Sequence, residues 1–216
     1  MGVAIIRVLT RNDQAFLDTH GEILRSTFGV DYVTRCIPGQ PNGIHSDETF
    51  ALAVPKIVDL GREMAALPGV TSVFVSCAAD PGVPELREFL DIPVVGAGSA
   101  GAAVALASAD KVGVLGITEE VPAVVRAMLG SRLVADLVPD GVHNTTDLMA
   151  PSGRASALRG AEQLKMRGAS AILFACTGLT TIGLRPEVAE RIGLPVIDAV
   201  LAGGSVLQHL EVFSRA

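Results

Sequence analysis

The chain reads as an α/β protein made of two similar halves, each a mainly parallel sheet flanked by helices. Two observations carry that expectation. Short apolar runs alternate along the whole chain with longer amphipathic stretches, the pattern of strands joined by crossover helices. The second half also repeats the first. Residues 69–77 read GVTSVFVSC and 168–176 read GASAILFAC, an offset of 99. Residues 84–97 read PELREFLDIPVVGA and 186–199 read PEVAERIGLPVIDA, an offset of 102. Six of the 14 positions in the second pair are identical, where average composition gives about one. The change of three in offset falls after each cysteine, where a loop absorbs an insertion. We place the halves at 1–110 and 111–216, related by a pseudo-two-fold duplication, with a possible crossover between them near the C-terminus.

In chain order, the apolar runs expected as strands are Val3–Thr10, Val30–Cys36, Thr71–Ser76, Pro93–Val95, Val112–Ile117, Leu133–Val138, Ala171–Ala175 and Pro195–Ile197. The clearest helices are Asp47–Leu67, Ser152–Arg167 and Pro186–Ile192. Pro55 should kink or restart the first of these. The last has proline at its first position, Glu187 near its positive end and Gly193 just beyond it. Ile92–Ala109 is an uncharged run of 18 residues, long enough for a membrane span. Pro93, three glycines and two serines make it read instead as strand, glycine turn and alanine-rich helix.

Composition narrows the class of partner. The 216 residues are 49% hydrophobic and 19% charged, enough to fold and bury roughly 70% of the unfolded surface. The net charge is −6 and no Lys/Arg cluster occurs, which argues against nucleic acid or an anionic membrane. Seven Phe, one Tyr and no Trp are poor material for stacking on bases or sugars. Three cysteines do not make a disulfide framework, and none has a metal-ligand spacing. The N-terminus lacks a basic stretch before its apolar residues, unlike a signal peptide. A cytoplasmic homo-oligomer acting on a small molecule is the expectation.

Cys77 and Cys176 hold the same place in the two halves, the carboxyl end of an apolar strand just before a loop. In open α/β sheets that edge is where ligands bind. A single free cysteine there is ordinarily a small buried hydrophobe, but two at equivalent positions point to a working pair. Cys36, in VTRCIPGQPNG, lacks that context and reads as packing. A pseudo-two-fold axis would set the two thiols on opposite walls of a cleft. There they could take a proton from one face of a carbon and deliver another to the opposite face. Each unit of pKa mismatch costs about 1.36 kcal/mol, so an enolate-like oxygen needs donors already in place. The N–H groups of Ala78, Ala79, Thr177 and Gly178 are the candidates. No metal and no other cofactor is expected. No ligand cluster is evident, and only Lys56, Lys111 and Lys165 could anchor pyridoxal.

SCAADPG at 76–82, IPVVGAG at 92–98, ACTGL at 175–179 and GLPVIDAV at 193–200 resemble the aspartate/glutamate racemase superfamily, most of all its hydantoin racemase branch. The resemblance covers nearly the whole chain, including LTRND at 9–13. It implies a cofactor-independent, two-base racemase or epimerase with catalytic thiols at Cys77 and Cys176. By position it also implies substrate contact at Asn12, polar groups of Thr118 and Thr177 beside it, and Asp80 and Ser99 nearby. Arg11, next to Asn12, is a candidate for an anionic group. The sequence departs from the family at Thr10 and Arg11, which replace Asn-Pro, and at Thr-Gly-Leu after the second cysteine, where the branch has Ala-Gly-Met. The first cysteine also lacks the Asn-Thr of amino-acid racemases. A 5-substituted hydantoin or similar cyclic ureide is the expected substrate. The alternatives on the same fold are an aspartate/glutamate racemase, or a cysteine-dependent decarboxylase or cis-trans isomerase of small carboxylic acids.

A more remote alternative is a dinucleotide-binding oxidoreductase. Gly96, Gly98 and Gly101 fit G-x-G-x-x-G after a strand, with Glu119 eighteen residues beyond. The equivalent segment of the second half, Asp198–Gly203, loses the glycines, so close helix packing is the better account. His20, His45, His143 and His209 are scattered, and Arg35 and Arg185 read as surface charges.

Overall fold

The structure, a computed structural model, describes residues 2–214, with side chains as far as Leu210. Its frame is two parallel four-stranded sheets. The first holds β1 (Gly2–Arg7), β2 (Asp31–Cys36), β3 (Val70–Ser76) and β4 (Val94–Gly96) in the order β2-β1-β3-β4. The second repeats that order as β6-β5-β7-β8, with β5 (Val112–Leu115), β6 (Leu133–Leu137), β7 (Ala171–Phe174) and β8 (Val196–Asp198).

Each expected strand is present, but four stop early. β1 ends at Arg7 instead of Thr10, β5 at Leu115 instead of Ile117, β6 at Leu137 instead of Val138, and β7 at Phe174 instead of Ala175. The apolar run continues in sequence because Val8, Ile117 and Ala175 line a cavity after leaving the ladder. Apolar pattern alone does not separate those two fates.

Helices cover both faces of each sheet, as buried parallel strands require. α1 (Gln14–Phe28) starts at Asp13, whose carboxylate accepts from the Ala15 and Phe16 N–H groups at 3.0 and 3.3 Å. α2 (Asp47–Ala65) opens with a capping box between Ser46 and Thr49. It runs through Pro55 as a single helix, against the expected break. Proline removes one N–H bond, while Ala53, Ile57, Gly61 and Met64 bury the helix on both sides of it. α3 (Val83–Phe89), α5 (Ala123–Leu129) and α7 (Gly178–Thr181) are short; α6 (Pro151–Met166) and α8 (Arg185–Ile192) lie within a residue of expectation.

The remaining long helices join the sheets. α4 (Ala97–Ser108) follows β4 yet packs across onto β7; α9 (Ala199–Ser214) follows β8 yet packs on β3 and α1. Small residues permit both contacts. A Cβ at Gly101 would come within 2.9 Å of Leu173 in β7, and one at Gly203 would fall on the ring of Phe74 in β3. One apolar cluster therefore links Val3, Ile5 and Phe74 to Val112, Val114 and Leu173, with a separate cluster on the far side of each sheet. The uncharged run 92–109 is the end of this arrangement: β4 and a twelve-residue buried helix. Among the described residues no helix is long and apolar enough to cross a membrane.

Candidate active site

A cavity of about 500 Å³ lies at the carboxyl edges of both sheets. Cys77 and Cys176 both line it, each 8% exposed. Ala78, Ala79, Thr118 and Thr177 line it too. Thr118 Oγ1 donates to Glu120 O at 2.7 Å and Thr177 Oγ1 to Ser76 O at 3.1 Å. Both hydroxyl oxygens thus keep only acceptor capacity. The charged residues on the cavity wall are Asp47, Glu119 and Glu120; no Lys or Arg is among its lining residues.

Burial dominates the acidity of the thiols. It pushes Cys77 up to about 12, opposed by the Ala79 N–H and reinforced by the nearby Cys176 and Asp80. It pushes Cys176 up to about 11, opposed by the Gly178 N–H, the Thr145 hydroxyl, the Leu179 N–H and the Arg7 charge. Gly178 N sits 3.4 Å from Cys176 Sγ. A thiolate formed here is scarce at neutral pH but strongly basic, which suits removal of a proton from carbon.

Behind each cysteine a carboxylate caps the helix that follows the sheet. In the first half Asp80, at φ +50°, accepts from Gly98 N at 2.6 Å and Ser99 N at 2.9 Å. In the second half Asp198 accepts from Val200 N at 2.9 Å, Leu201 N at 3.2 Å and Thr180 Oγ1 at 2.9 Å. Gly96 and Gly98 are glycine because a Cβ there would meet the Asp80 carboxylate and the Ala78 carbonyl. The helix end where a pyrophosphate would sit is thus already filled by Asp80, which accounts for the glycine pattern without a dinucleotide.

A buried polar network underlies both cysteine loops. His20 is fully buried, with Nδ1 2.8 Å from Ser76 Oγ and Nε2 2.9 Å from Thr181 Oγ1. Burial, then the Arg7 charge, push its pKa well below the usual value, so the ring is neutral. Arg7 donates to Leu17 O at 2.8 Å and to Thr181 Oγ1 at 3.2 Å. His20 is therefore bonded to hydroxyls, His45 lines the cavity, and among the described residues no hydrogen bond joins a histidine to either thiol.

Other expected site residues are not among those that line the cavity. Asn12 is exposed in the loop before α1. Arg11 donates to Thr10 O at 3.2 Å and Pro41 O at 3.0 Å, pinning the loop after β2. Asp80, Ser99 and Gly178 stand behind the cysteines in the roles described above. Arg185 donates to Val196 O at 3.0 Å, and Arg35 pairs with Glu63. Thr145, Arg7 and His20 have no local signature as site residues. For Thr145 a signal exists. Residues 43–45 read GIH and 141–143 read GVH, an offset of 98 that continues the cysteine period. Gly43 and Gly141 both adopt φ +74°, and Thr145 N meets Asn42 O at 3.3 Å where these loops touch.

The comparisons agree with this architecture. Residues 20–205 match the Asp/Glu/Hydantoin racemase family model. A hydantoin racemase from Pseudomonas sp. (strain NS671) is 26% identical over 174 residues, 76% of this chain and 67% of that protein. The crystal structure of allantoin racemase from Pseudomonas fluorescens superposes with TM-score 0.84 at 21% identity, over 99% of this chain and 92% of that one. Allantoin racemase from Klebsiella pneumoniae gives TM-score 0.82 at 24% identity, over 99% and 89%. The chain belongs to the Asp/Glu/hydantoin racemase family and is an isomerase of the racemase type.

Proposed function

We propose that the chain racemises a neutral cyclic ureide of the hydantoin type, with Cys77 and Cys176 as opposed acid and base and no cofactor. The observation that carries this reading is the pair of thiols on one cavity, at equivalent strand ends of two repeated sheets. In one direction the Cys176 thiolate takes the proton from the ring carbon. The C–H electron pair moves into the adjacent carbonyl, and the Cys77 S–H supplies a proton to the opposite face. Cys77 is left as thiolate, ready for the other enantiomer. Of the four N–H groups expected, those of Ala79 and Gly178 serve the cysteine sulfurs, and those of Ala78 and Thr177 are the proposed donors to the enolate oxygen.

Two features favour a ring ureide over aspartate or glutamate. The cavity wall carries carboxylates and no Lys or Arg, so an anionic substrate meets like charge. The Thr118 and Thr177 oxygens are free to accept, and a ureide brings N–H donors. Loss of the α-proton signal in D₂O, followed by NMR across hydantoins, allantoin, aspartate and glutamate, tests the assignment. Ring ureides should exchange faster. Faster exchange with aspartate or glutamate would make the amino-acid racemase reading the right one.

A further inference from the structure

The residues that flank the two thiols are bonded to each other. Ser76, directly before Cys77, takes part through both of its polar ends. Its carbonyl accepts from Thr177 Oγ1 at 3.1 Å, and Thr177 directly follows Cys176. Its hydroxyl lies 2.8 Å from Nδ1 of His20, a fully buried side chain on α1. The other imidazole nitrogen, Nε2, lies 2.9 Å from Oγ1 of Thr181, the last residue of α7. Thr181 Oγ1 in turn donates to Thr177 O at 3.3 Å, which closes the circuit. Ser76, His20, Thr181 and Thr177 therefore form one loop of hydrogen bonds that runs from one cysteine segment to the other. Arg7, paired with Ser76 in the strand register, braces it by donating to Thr181 Oγ1 at 3.2 Å.

The local fold does not call for this circuit. At the offset of 99, Ala175 stands in the second half where the first has Ser76, and it is buried just as well. A strand end that carries a cysteine therefore does not need a hydroxyl before it. The buried face of α1 is otherwise Leu17, Gly21 and Leu24, where an apolar side chain would pack without the cost of burying an imidazole. What the circuit does supply is a fixed span between the two cysteine segments. Proton transfer at two faces of one carbon depends on that span, and a misplacement of about 1 Å costs about 10²-fold in rate.

We propose that His20 is a positioning residue for the reaction. By bridging Ser76 and Thr181 it sets the span between the Cys77 and Cys176 sulfurs, so that one thiol can reprotonate the carbon that the other has deprotonated. His20 is not among the residues that line the cavity, and it acts through the two cysteine segments. This rests on the two-thiol reading above. A loosened circuit does not stop removal of the proton, because each thiol still meets its own face. It slows delivery from the far side. The first thiol then has time to exchange its captured proton with solvent and to return a deuteron to the same face.

The test starts from one enantiomer in D₂O, using whichever of the hydantoins, allantoin, aspartate or glutamate the wild type exchanges fastest. Chiral chromatography separates the enantiomers, and the deuterium in each gives initial rates of exchange with retention and with inversion. Ser76→Ala gives the first half the residue that the second half already has and removes one bond of the circuit; His20→Leu removes two. The ratio of retention to inversion should rise about tenfold in Ser76→Ala and further in His20→Leu. In His20→Leu, kcat for racemisation should fall about 10²-fold with KM within about twofold. A merely structural histidine would lower both rates in proportion and leave the ratio at its wild-type value. An unchanged ratio in Ser76→Ala overturns the proposal, even where His20→Leu fails to fold. A wild-type ratio or kcat in a His20→Leu protein with a cooperative melt overturns it as well. Failure of the two-thiol reading would show separately, as full racemisation by Cys77→Ala or Cys176→Ala.

Discussion

The loops after β3 and β7 do the same work with different parts. Both carry a buried thiol to the cavity, and both sit beside a carboxylate that caps the next helix. In the first half that carboxylate comes from the cysteine loop, as Asp80, and the strand end is Gly96. In the second half it comes from the strand end, as Asp198, and the cysteine loop contributes Thr180. Gly96 and Asp198 are equivalent by the 102-residue offset. The space can hold one carboxylate, and either of two backbone positions can supply it.

The largest expected effect probes the opposition of the thiols. Cys77→Ala and Cys176→Ala should each lower racemisation by about 10³-fold or more, with little change in melting temperature. Each variant should still exchange the α-proton of one enantiomer in D₂O, and the two variants should exchange opposite enantiomers. If both exchanged the same enantiomer, the thiols would not flank the carbon from two sides.

Moving the carboxylate tests the interchange directly. Gly96→Asp alone forces two carboxylates together and should cost about 3 kcal/mol or more by urea denaturation. Asp80→Gly alone relieves the positive φ but uncaps α4, at about 1–2 kcal/mol. The double variant should recover about 2 kcal/mol relative to the sum of the two. Simple additivity would mean that the halves differ in more than the carboxylate's point of attachment.

A smaller effect belongs to the network that ties the halves together. His20 is held neutral, with its pKa lowered below 6.5, so the unfolded chain takes up a proton that the folded chain refuses. Its stabilisation is complete above pH 6.5 and is lost as the pH falls, at about 1.4 kcal/mol per pH unit while the folded ring stays neutral. Urea midpoints at pH 7.5 and 5.5 should therefore differ more for the wild type than for His20→Gln. Equal slopes would remove His20 as a source of acid sensitivity. The smallest effect is at Cys36, half-buried with its thiol 3.4 Å from Arg11 O. Cys36→Ser should change stability by less than about 0.5 kcal/mol and leave turnover within twofold.

Much of this molecule is local in origin and therefore legible in the sequence. Strand alternation follows from apolar runs between turn residues, and the cap of α8 follows from Pro186 and Gly193. The equivalence of Cys77 and Cys176 follows from the repeat. The limits of that legibility are physical. Val8, Ile117 and Ala175 are as apolar as strand residues, so the pattern extends the strands into the cavity wall. Pro55 looks like a break, but burial on both sides of it keeps α2 whole. Asn12 and Arg11 sit beside a recognisable motif, yet neither is among the residues that line the cavity, and Arg11 holds Pro41. What only the tertiary structure decides are contacts between distant parts of the chain. Arg7 meets Thr181 across 174 residues, His20 meets Thr181 across 161, and Thr177 reaches Ser76 across 101. No periodicity or capping rule spans such distances. These pairs form because α4 and α9 hold the two sheets together, each packing on the sheet it does not follow.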